Sequence, residues 1–225
     1  EAVGLVGESG SGKTTLARSI LRLIEPTAGV IRLEGTDITH LGGGAMRKLR
    51  PHIQVVFQDP VGSLDPRMSV FENIRCALLW SEGYRYSFWQ LLGRQRTLNE
   101  KALDVLEQIG LSDKAQLPGG ELAYAQQRAL ELGIAVASGA ELIMLDEPVA
   151  GMSNSEAENA VALIRRITEG KTLIMVEHDM NIVFDIADRI SVLVYGEIIA
   201  TDTPQNIRSS ARVQEAYLGE VPSDA

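Results

Sequence analysis

The chain has 225 residues, of which 45% are hydrophobic, so it can bury the core of one domain, with room for a subdomain. Its net charge of −9 disfavours nucleic acid as the main partner, because a phosphate backbone is bound by a basic surface. The single cysteine, Cys76, excludes an internal disulfide, and no apolar stretch reaches the roughly eighteen residues of a membrane span. The chain opens on a strand-like run without a methionine, so we expect N-terminal strands to be missing from it.

The first predicted elements are a strand over residues 2–6, a glycine-rich loop and a helix over residues 14–24. The loop, Gly7–Thr14, matches the pattern G-x-x-x-x-G-K-[ST] at every required position. This order aims successive backbone N–H groups and a helix N-terminus at one point, which suits an anionic phosphate. We expect Lys13 to reach the β- and γ-phosphates of a nucleoside triphosphate and the Thr14 hydroxyl to ligate Mg²⁺. The alternative, a glycine-rich turn with a chance lysine, would not require the flanking strand and helix.

Further strand-like runs follow at 54–57, 142–145, 172–176 and 190–195, with helical patterns between most of them. This alternation is typical of a largely parallel sheet. A tight turn at 195–197 and a run at 198–201 predict an antiparallel strand, and three glycines at 42–44 predict a flexible loop. Between about 69 and 136 strand signals disappear and helical periodicity dominates. We therefore expect an α/β core at 1–68 and 137–205, an inserted helical subdomain at about 69–136, and a C-terminal helix and tail at 206–225.

Several of the predicted strands end in polar or ionisable side chains. Residues 142–145 lead into Asp146 and Glu147, and a buried strand that ends this way places both carboxylates at the carboxyl edge of the sheet, beside the phosphate loop. We expect Asp146 to hold Mg²⁺ and Glu147 to polarise the attacking water; the alternative is a solvated strand end with two ordinary acids. His178 follows the strand 172–176 by the same geometry and is expected to donate to the γ-phosphate. Gln58 follows the strand 54–57, and its amide oxygen can reach Mg²⁺ or the water.

Taken together, these motifs resemble the ATP-binding subunit of ABC transporters over essentially the whole chain. The resemblance implies an α/β fold with a P-loop NTPase (RecA-like) core, an antiparallel β element and an inserted α-helical subdomain. The family order is phosphate loop (Walker A), glutamine loop, signature, Walker B strand and switch histidine. It implies that Glu147 is the catalytic base, with His178 and Gln58 beside it. Mg²⁺ is then held by Thr14, Gln58 and Asp146.

The resemblance also implies which residues bind ATP. In the phosphate loop they are Gly7, Glu8, Ser9, Gly10, Ser11, Gly12, Lys13, Thr14 and Thr15. In the signature, which acts across a dimer, they are Leu122, Ala123, Tyr124, Ala125 and Gln126. The expected activity is a Mg²⁺-dependent ATP hydrolysis coupled to transport.

Two registers compete for the signature. The segment 117–121 looks like the family's L-S-G-G-Q, but 122–126 is followed by a helix-forming run and lies 24 residues before Asp146 (146 minus 122). The second register resembles the L-S-Y-G-E-Q variant of branched-chain amino acid importers, and we adopt it. In it, Ala123 replaces the serine whose hydroxyl would bind γ-phosphate, and Ala125 replaces a glycine. The missing glycine predicts slow hydrolysis.

The two halves of the chain resemble different importer subfamilies. Residues 2–68 resemble dipeptide and oligopeptide importer subunits, whereas the chain from 69 onward resembles the branched-chain amino acid class, which favours amino acids as the transported substrate. The implied partners are a second ABC ATPase subunit, in a homo- or heterodimer, transmembrane permease subunits and, indirectly, a substrate-binding protein. The implied location is peripheral, at the cytoplasmic face of the cell membrane, with no nucleic acid partner.

Alternatives to an amino acid importer stay open. The chain could serve a dipeptide or oligopeptide importer, or be a weakly active regulatory subunit, which Ala125 favours. A soluble ABC-type ATPase acting on nucleic acid or ribosomes is disfavoured by the acidic charge. An aromatic cluster after the glutamine loop is expected either to receive the coupling helix of a permease or to pack the subdomain onto the core. Its members are Trp80, Tyr84, Tyr86, Phe88 and Trp89.

Overall fold

The computed structural model describes residues 1–57, 64–81 and 88–218, and the side chains of these residues except 88–95 and 217–218. The strands are β1 (Ala2–Val6), β2 (Arg32–Leu33), β3 (Thr36–Asp37), β4 (Ile53–Val56), β5 (Leu142–Asp146), β6 (Thr172–Glu177), β7 (Arg189–Val194) and β8 (Glu197–Asp202). The helices are α1 (Lys13–Ile20), α2 (Gly43–Leu49), α3 (Val70–Ser81), α4 (Phe88–Gln108), α5 (Tyr124–Ala137), α6 (Asn154–Ile167), α7 (Met180–Ile186), α8 (Pro204–Ser209) and α9 (Ala211–Leu218).

The chain divides into two compact units. The first comprises Glu1–Leu49, Met144–Glu147 and Leu173–Ala225, and the second comprises Arg50–Ile143 and Pro148–Thr172. No described helix is both long enough and apolar enough to cross a lipid bilayer. The domain bounds expected from the sequence stay a prediction.

In the first unit, β1 lies between two parallel neighbours. Ala2 pairs with Leu173 of β6, and Val3 pairs with Arg189 of β7. β8 runs antiparallel to β7, and the part of β5 in this unit lies beyond β6 in the strand order. The predicted α/β fold, with a mainly parallel sheet and an antiparallel element, is confirmed.

Helix α7 packs directly on β1 because Gly4 has no side chain. A Cβ atom at Gly4 would overlap Cγ1 of Val183, which is fully buried. Val6 at the end of β1 and Val176 in β6 are also fully buried, as expected for strands covered on both faces. The ends of these strands, where the candidate site lies, are therefore held by a tightly packed core.

The second unit is rich in helices. Within it α3 packs on α4 and α5, and α5 packs on α6 and β4. The helices approach closely at Gly133 of α5, where a Cβ atom would lie 2.8 Å from Cδ1 of Ile109 and 3.0 Å from Cδ1 of Ile74. At the start of β5, the N–H of Glu141 donates to the carbonyl of His52, 3.1 Å away.

The structure corrects two local predictions and shows one hairpin that the sequence did not predict. The glycines at 42–44 do not form a flexible loop: Gly43 begins α2, and the N–H groups of Ala45 and Met46 donate to the Gly42 carbonyl at 2.9 and 3.0 Å. Burial of Met46 overrides the low helix propensity of glycine. Helix α1 ends at Ile20 rather than at residue 24, because Arg22 adopts a left-handed φ of 54°. The hairpin of β2 and β3 was not predicted, since each strand has only two residues.

Candidate functional site

The phosphate loop connects β1 to α1, and its glycines are required by its shape. Gly10 and Gly12 have φ values of 81° and 101°, which favour glycine. Gly7 has no room for a side chain, because a Cβ atom there would overlap the Leu193 carbonyl oxygen and lie 2.6 Å from Oγ of Ser11. Gly12 caps the helix, and its carbonyl accepts the N–H of Leu16 at 2.9 Å. The loop therefore leads into the positive end of a helix dipole, as the sequence predicted.

The ammonium of Lys13 folds back over this loop. Its Nζ donates to the carbonyls of Gly7 and Glu8 at 2.6 and 2.8 Å, and the residue is only 7% exposed. Burial lowers the pKa of Lys13, although the carboxylates of Glu147 and two neighbouring acids oppose this shift. The Lys13 ammonium thus interacts electrostatically with the carboxylates at the ends of β5 and β6.

The carboxyl end of β5 turns sharply at Glu147. This residue has a φ of 47°, which is uncommon for a side chain other than glycine, and its N–H donates to the Val176 carbonyl of β6 at 2.9 Å. Its Oε1 lies 3.7 Å from Nδ1 of His178, whose side chain is 62% exposed. The structure thus brings Glu147 and His178 together and holds them at the end of adjacent strands, as expected. Strained backbone of this kind is often found at functional sites.

Glu177 has a place in this site that the sequence did not reveal. It is 1% exposed, its Oε2 accepts the N–H of His178 at 3.1 Å and lies 3.6 Å from Nδ1 of the same histidine. Its Oε1 has no hydrogen-bond partner, and burial raises its pKa. The available signal was a carboxylate at the end of an apolar strand, next to the candidate histidine. His178 therefore has two carboxylates beside it, from Glu147 and Glu177.

The candidate signature lies at the start of α5. Ala123 is the last extended residue before the helix, with φ −63° and ψ 155°, and its N–H donates to Oε1 of Gln126 at 3.2 Å. In the competing register, the N–H groups of Gly119 and Gly120 donate to the carbonyls of Met68 and Pro66 at 2.9 and 3.0 Å. These bonds explain the two glycines by their place in the fold, without a role in binding nucleotide. This supports the register 122–126 for the signature.

Some of the predicted residues cannot be placed. Gln58, Tyr84 and Tyr86 lie outside the described residues, as do the side chains of Phe88 and Trp89. Trp80, at the end of α3, is 60% exposed. The role of the cluster therefore stays a prediction.

The oxygen donors near the loop fit Mg²⁺. Among the described residues, no group of three or more His, Cys, Asp or Glu side chains could hold a metal ion. Mg²⁺ rarely needs such a group, because it is usually held by one or two carboxylates together with water and substrate phosphates. The Thr14 hydroxyl and the Asp146 carboxylate are hard oxygen ligands of this kind. When bound, the ion would neutralise charge on the phosphates.

Comparison with known proteins identifies the family. The model of the ABC transporter family matches residues 1–150, and a model of branched-chain amino acid ATP-binding cassette transporters matches residues 197–222. A peptide import ATP-binding protein of Brucella ovis is 37% identical over 230 residues, which span 99% of this chain and 69% of the relative. The high-affinity branched-chain amino acid transport ATP-binding protein BraF of Pseudomonas aeruginosa is 33% identical over 234 residues, spanning 98% of this chain and 88% of BraF.

A solved structure shares the fold. It is a dimeric, post-hydrolysis state of the ATP-binding cassette MJ0796 bound to ADP and Pi. It superposes with a TM-score of 0.75 and 26% identity over 91% of this chain and 85% of that chain. In this chain the phosphate loop follows β1, Asp146 ends β5, and His178 follows β6. The chain belongs to the ABC transporter family and is an ATP-binding domain that hydrolyses ATP to support transport.

Proposed function

We propose that the chain is the ATPase of an importer of branched-chain or related amino acids. The match of residues 197–222 to the branched-chain amino acid class carries this proposal. The similarity to BraF, which spans 88% of that protein, supports it. A peptide importer is the second candidate, because the Brucella ovis relative is more similar, at 37% identity.

The proposed chemistry starts from the phosphate loop. Backbone N–H groups of residues 7–15 and the Lys13 ammonium would bind the β- and γ-phosphates of ATP, and the Thr14 hydroxyl, Asp146 and Gln58 would hold Mg²⁺, which neutralises phosphate charge. Glu147, whose backbone is held in a left-handed turn, accepts a proton from the attacking water. His178 donates to the γ-phosphate through the nitrogen that does not face Glu147 and Glu177. Positioned proton transfer of this kind contributes roughly 10²–10⁴-fold in rate.

We propose that the active form contains two such ATPase subunits, in a homo- or heterodimer. Residues 122–126 of one subunit would contact ATP held on the phosphate loop of the other, as the dimeric MJ0796 structure suggests by analogy. Closure is driven by ATP because the nucleotide binds the closed dimer more tightly than the open one. Permease subunits at the cytoplasmic face of the membrane would convert closure into transport. Within each subunit, we retain the proposed division into a core, 1–68 and 137–205, and a helical subdomain, about 69–136.

Uptake measurements can test the substrate class. The chain is expressed in a Pseudomonas aeruginosa strain lacking BraF, and the uptake of labelled leucine and of a labelled dipeptide is measured. The proposal predicts that leucine uptake is restored and that Lys13→Ala, which removes the ammonium at the phosphates, abolishes the restoration. Because this assay depends on compatible permeases, a second strain lacking a peptide-import ATPase is tested in parallel. Restored dipeptide uptake without restored leucine uptake would assign the chain to a peptide importer.

ATPase measurements separate an active subunit from a regulatory one. The purified chain is assayed alone and with its permease partner, and Glu147→Gln serves as the inactive reference. Turnover above that reference in either condition supports an enzyme. Turnover equal to the reference in both would favour the regulatory alternative.

A further inference from the structure

The hairpin of β7 and β8 makes a backbone contact with the phosphate loop. Its two-residue turn consists of Tyr195 and Gly196, with φ values of 47° and 83°, as in a type I′ turn. The N–H of Gly196 donates to the carbonyl of Ser11 at 2.9 Å. The two residues are 185 positions apart in the chain (196 minus 11). The turn therefore fixes the orientation of one peptide group in the loop.

The peptide group in question joins Ser11 to Gly12. In a planar trans peptide the C=O and the N–H point in opposite directions. When the Ser11 carbonyl points toward Gly196, the Gly12 N–H must point away from the hairpin. Gly12 is the residue that caps α1, with a φ of 101°, so its N–H belongs to the set at the helix N-terminus. The contact thus sets the direction of an N–H group in the proposed phosphate cradle.

We propose that Gly196 is a positioning residue for nucleotide binding, acting through the Ser11–Gly12 peptide. The inference rests on the proposed role of the loop in binding ATP. With the contact in place, the loop presents the Gly12 N–H to phosphate and keeps the Ser11 carbonyl, which would repel an anion, on the opposite side. Without it, this peptide group can rotate and present its carbonyl instead.

Only the backbone conformation explains why a glycine is needed at this turn. A Cβ atom built on Gly196 would meet no atom within 4 Å, so a substitution causes no steric clash. A β-branched residue is strongly disfavoured at its φ of 83°, whereas asparagine tolerates the left-handed region. Gly196→Val should therefore displace the N–H, and Gly196→Asn should leave it in place.

The chain offers a matched control in its other short hairpin. Glu34 and Gly35, between β2 and β3, have φ values of 48° and 77°, nearly the same as those of Tyr195 and Gly196. A Cβ atom on Gly35 also meets nothing within 4 Å. The structure describes this turn and residues 7–15 completely and shows no hydrogen bond between them. Gly35→Val therefore introduces the same backbone strain away from the phosphate loop.

ATP affinity is measured by titration calorimetry for the wild type and the three variants, together with thermal unfolding without nucleotide. We expect Gly196→Val to weaken ATP binding about tenfold or more, because tenfold is the lower end of the factor for losing one hydrogen bond to a charged group. Gly196→Asn and Gly35→Val should stay within about twofold of the wild type. Equal losses for Gly35→Val and Gly196→Val, or wild-type affinity in a folded Gly196→Val, would overturn the inference. If Gly196→Val does not fold, Gly196→Ala gives the same test with less strain.

A second readout does not depend on nucleotide binding. Hydrogen exchange of the peptide spanning residues 7–15 is measured in the absence of ATP, and it should be faster in Gly196→Val than in the wild type or Gly35→Val. Unchanged exchange would contradict the proposed positioning. If the wild-type chain bound no ATP, the proposed function would fail, and the exchange rates alone would decide whether the hairpin orients the loop.

Discussion

A serine at position 123 should stabilise the chain, because it would complete a helix cap that is now half formed. Ala123 precedes α5 in an extended conformation, and its N–H already donates to Oε1 of Gln126, three residues on. The reciprocal bond, from the Gln126 N–H to a side-chain hydroxyl, cannot form with alanine. At the start of α3 the same motif is complete: Glu72 N–H donates to Oγ of Ser69 at 3.1 Å, and Ser69 N–H donates to Oε2 of Glu72 at 2.9 Å.

The structure limits the size of the gain. Replacing an N-cap alanine by serine is worth about 0.5–2 kcal/mol. Here the Gln126 N–H already donates to the Ala123 carbonyl at 2.9 Å, so a serine hydroxyl would be only a second acceptor for this N–H group. Position 123 is also exposed to solvent. We therefore expect Ala123→Ser to add about 0.5–1 kcal/mol to the free energy of unfolding. For a chain of 225 residues this corresponds to a rise in Tm of about 1–4 °C.

Thermal and urea unfolding measure this gain, and Ser153→Ala is a reverse change at another helix N-cap. Ser153 caps α6, and its N–H and Oγ both donate to Oε2 of Glu156, at 2.9 and 2.6 Å. Ser153→Ala should lower stability by about 1 kcal/mol. If Ser153→Ala destabilises the chain but Ala123→Ser leaves it unchanged, α5 does not begin at Tyr124 with its N-cap at Ala123. The argument for the signature register would then lose its structural support.

The remaining predictions concern the candidate site. Ala125→Gly should raise ATPase turnover several-fold in steady-state assays, because it restores the glycine of the signature. Unchanged turnover would contradict the prediction that Ala125 slows hydrolysis. Glu147→Gln should lower kcat roughly 10²–10⁴-fold while ATP still binds, as calorimetry would show; near-normal kcat would exclude Glu147 as the base. Glu177→Gln should change the pH dependence of stability. Because burial raises the pKa of Glu177 above its ordinary 4.5, the wild type loses stability as pH rises from that value through the folded-state pKa. Urea unfolding should show that the stability of Glu177→Gln increases relative to that of the wild type as pH rises. A difference in stability that does not change with pH would contradict the presence of a buried carboxyl that ionises in the folded state.

Local motifs in the sequence predicted most of the fold and named most residues of the candidate site. The phosphate loop needs a strand, glycines and a helix in immediate succession, so its pattern lies within residues 2–24. Asp146, Glu147 and His178 were predicted because each lies within two residues of the end of an apolar run, and the ends of parallel strands meet at one edge of a sheet. Each of these predictions rests on residues that are close together in the chain.

What the sequence did not predict depends on contacts between distant residues. Glu177 reads as the last residue of a strand, and only the packing of its neighbours shows that it is buried beside His178. The hydrogen bond from Gly196 to Ser11 joins backbone atoms, so no pattern of side chains in the sequence predicts it. Gly43 begins a helix because Met46 is buried in the first unit, and the three consecutive glycines in the sequence do not predict this burial. For the substrate class, the sequence offers only the resemblance to importer subfamilies.

The bonds of Lys13 have a consequence for how fast nucleotide can bind. Because two loop carbonyls already hold the ammonium, the side chain has lost its rotamer freedom during folding, before any phosphate arrives. An incoming phosphate therefore exchanges one set of hydrogen bonds for another, and it need not wait for a mobile lysine to find it. The loop acts as a preorganised receptor, in which affinity is gained chiefly by avoiding an ordering cost. Association should accordingly proceed in a single fast phase, and slow steps in the working cycle should come from movements between subunits.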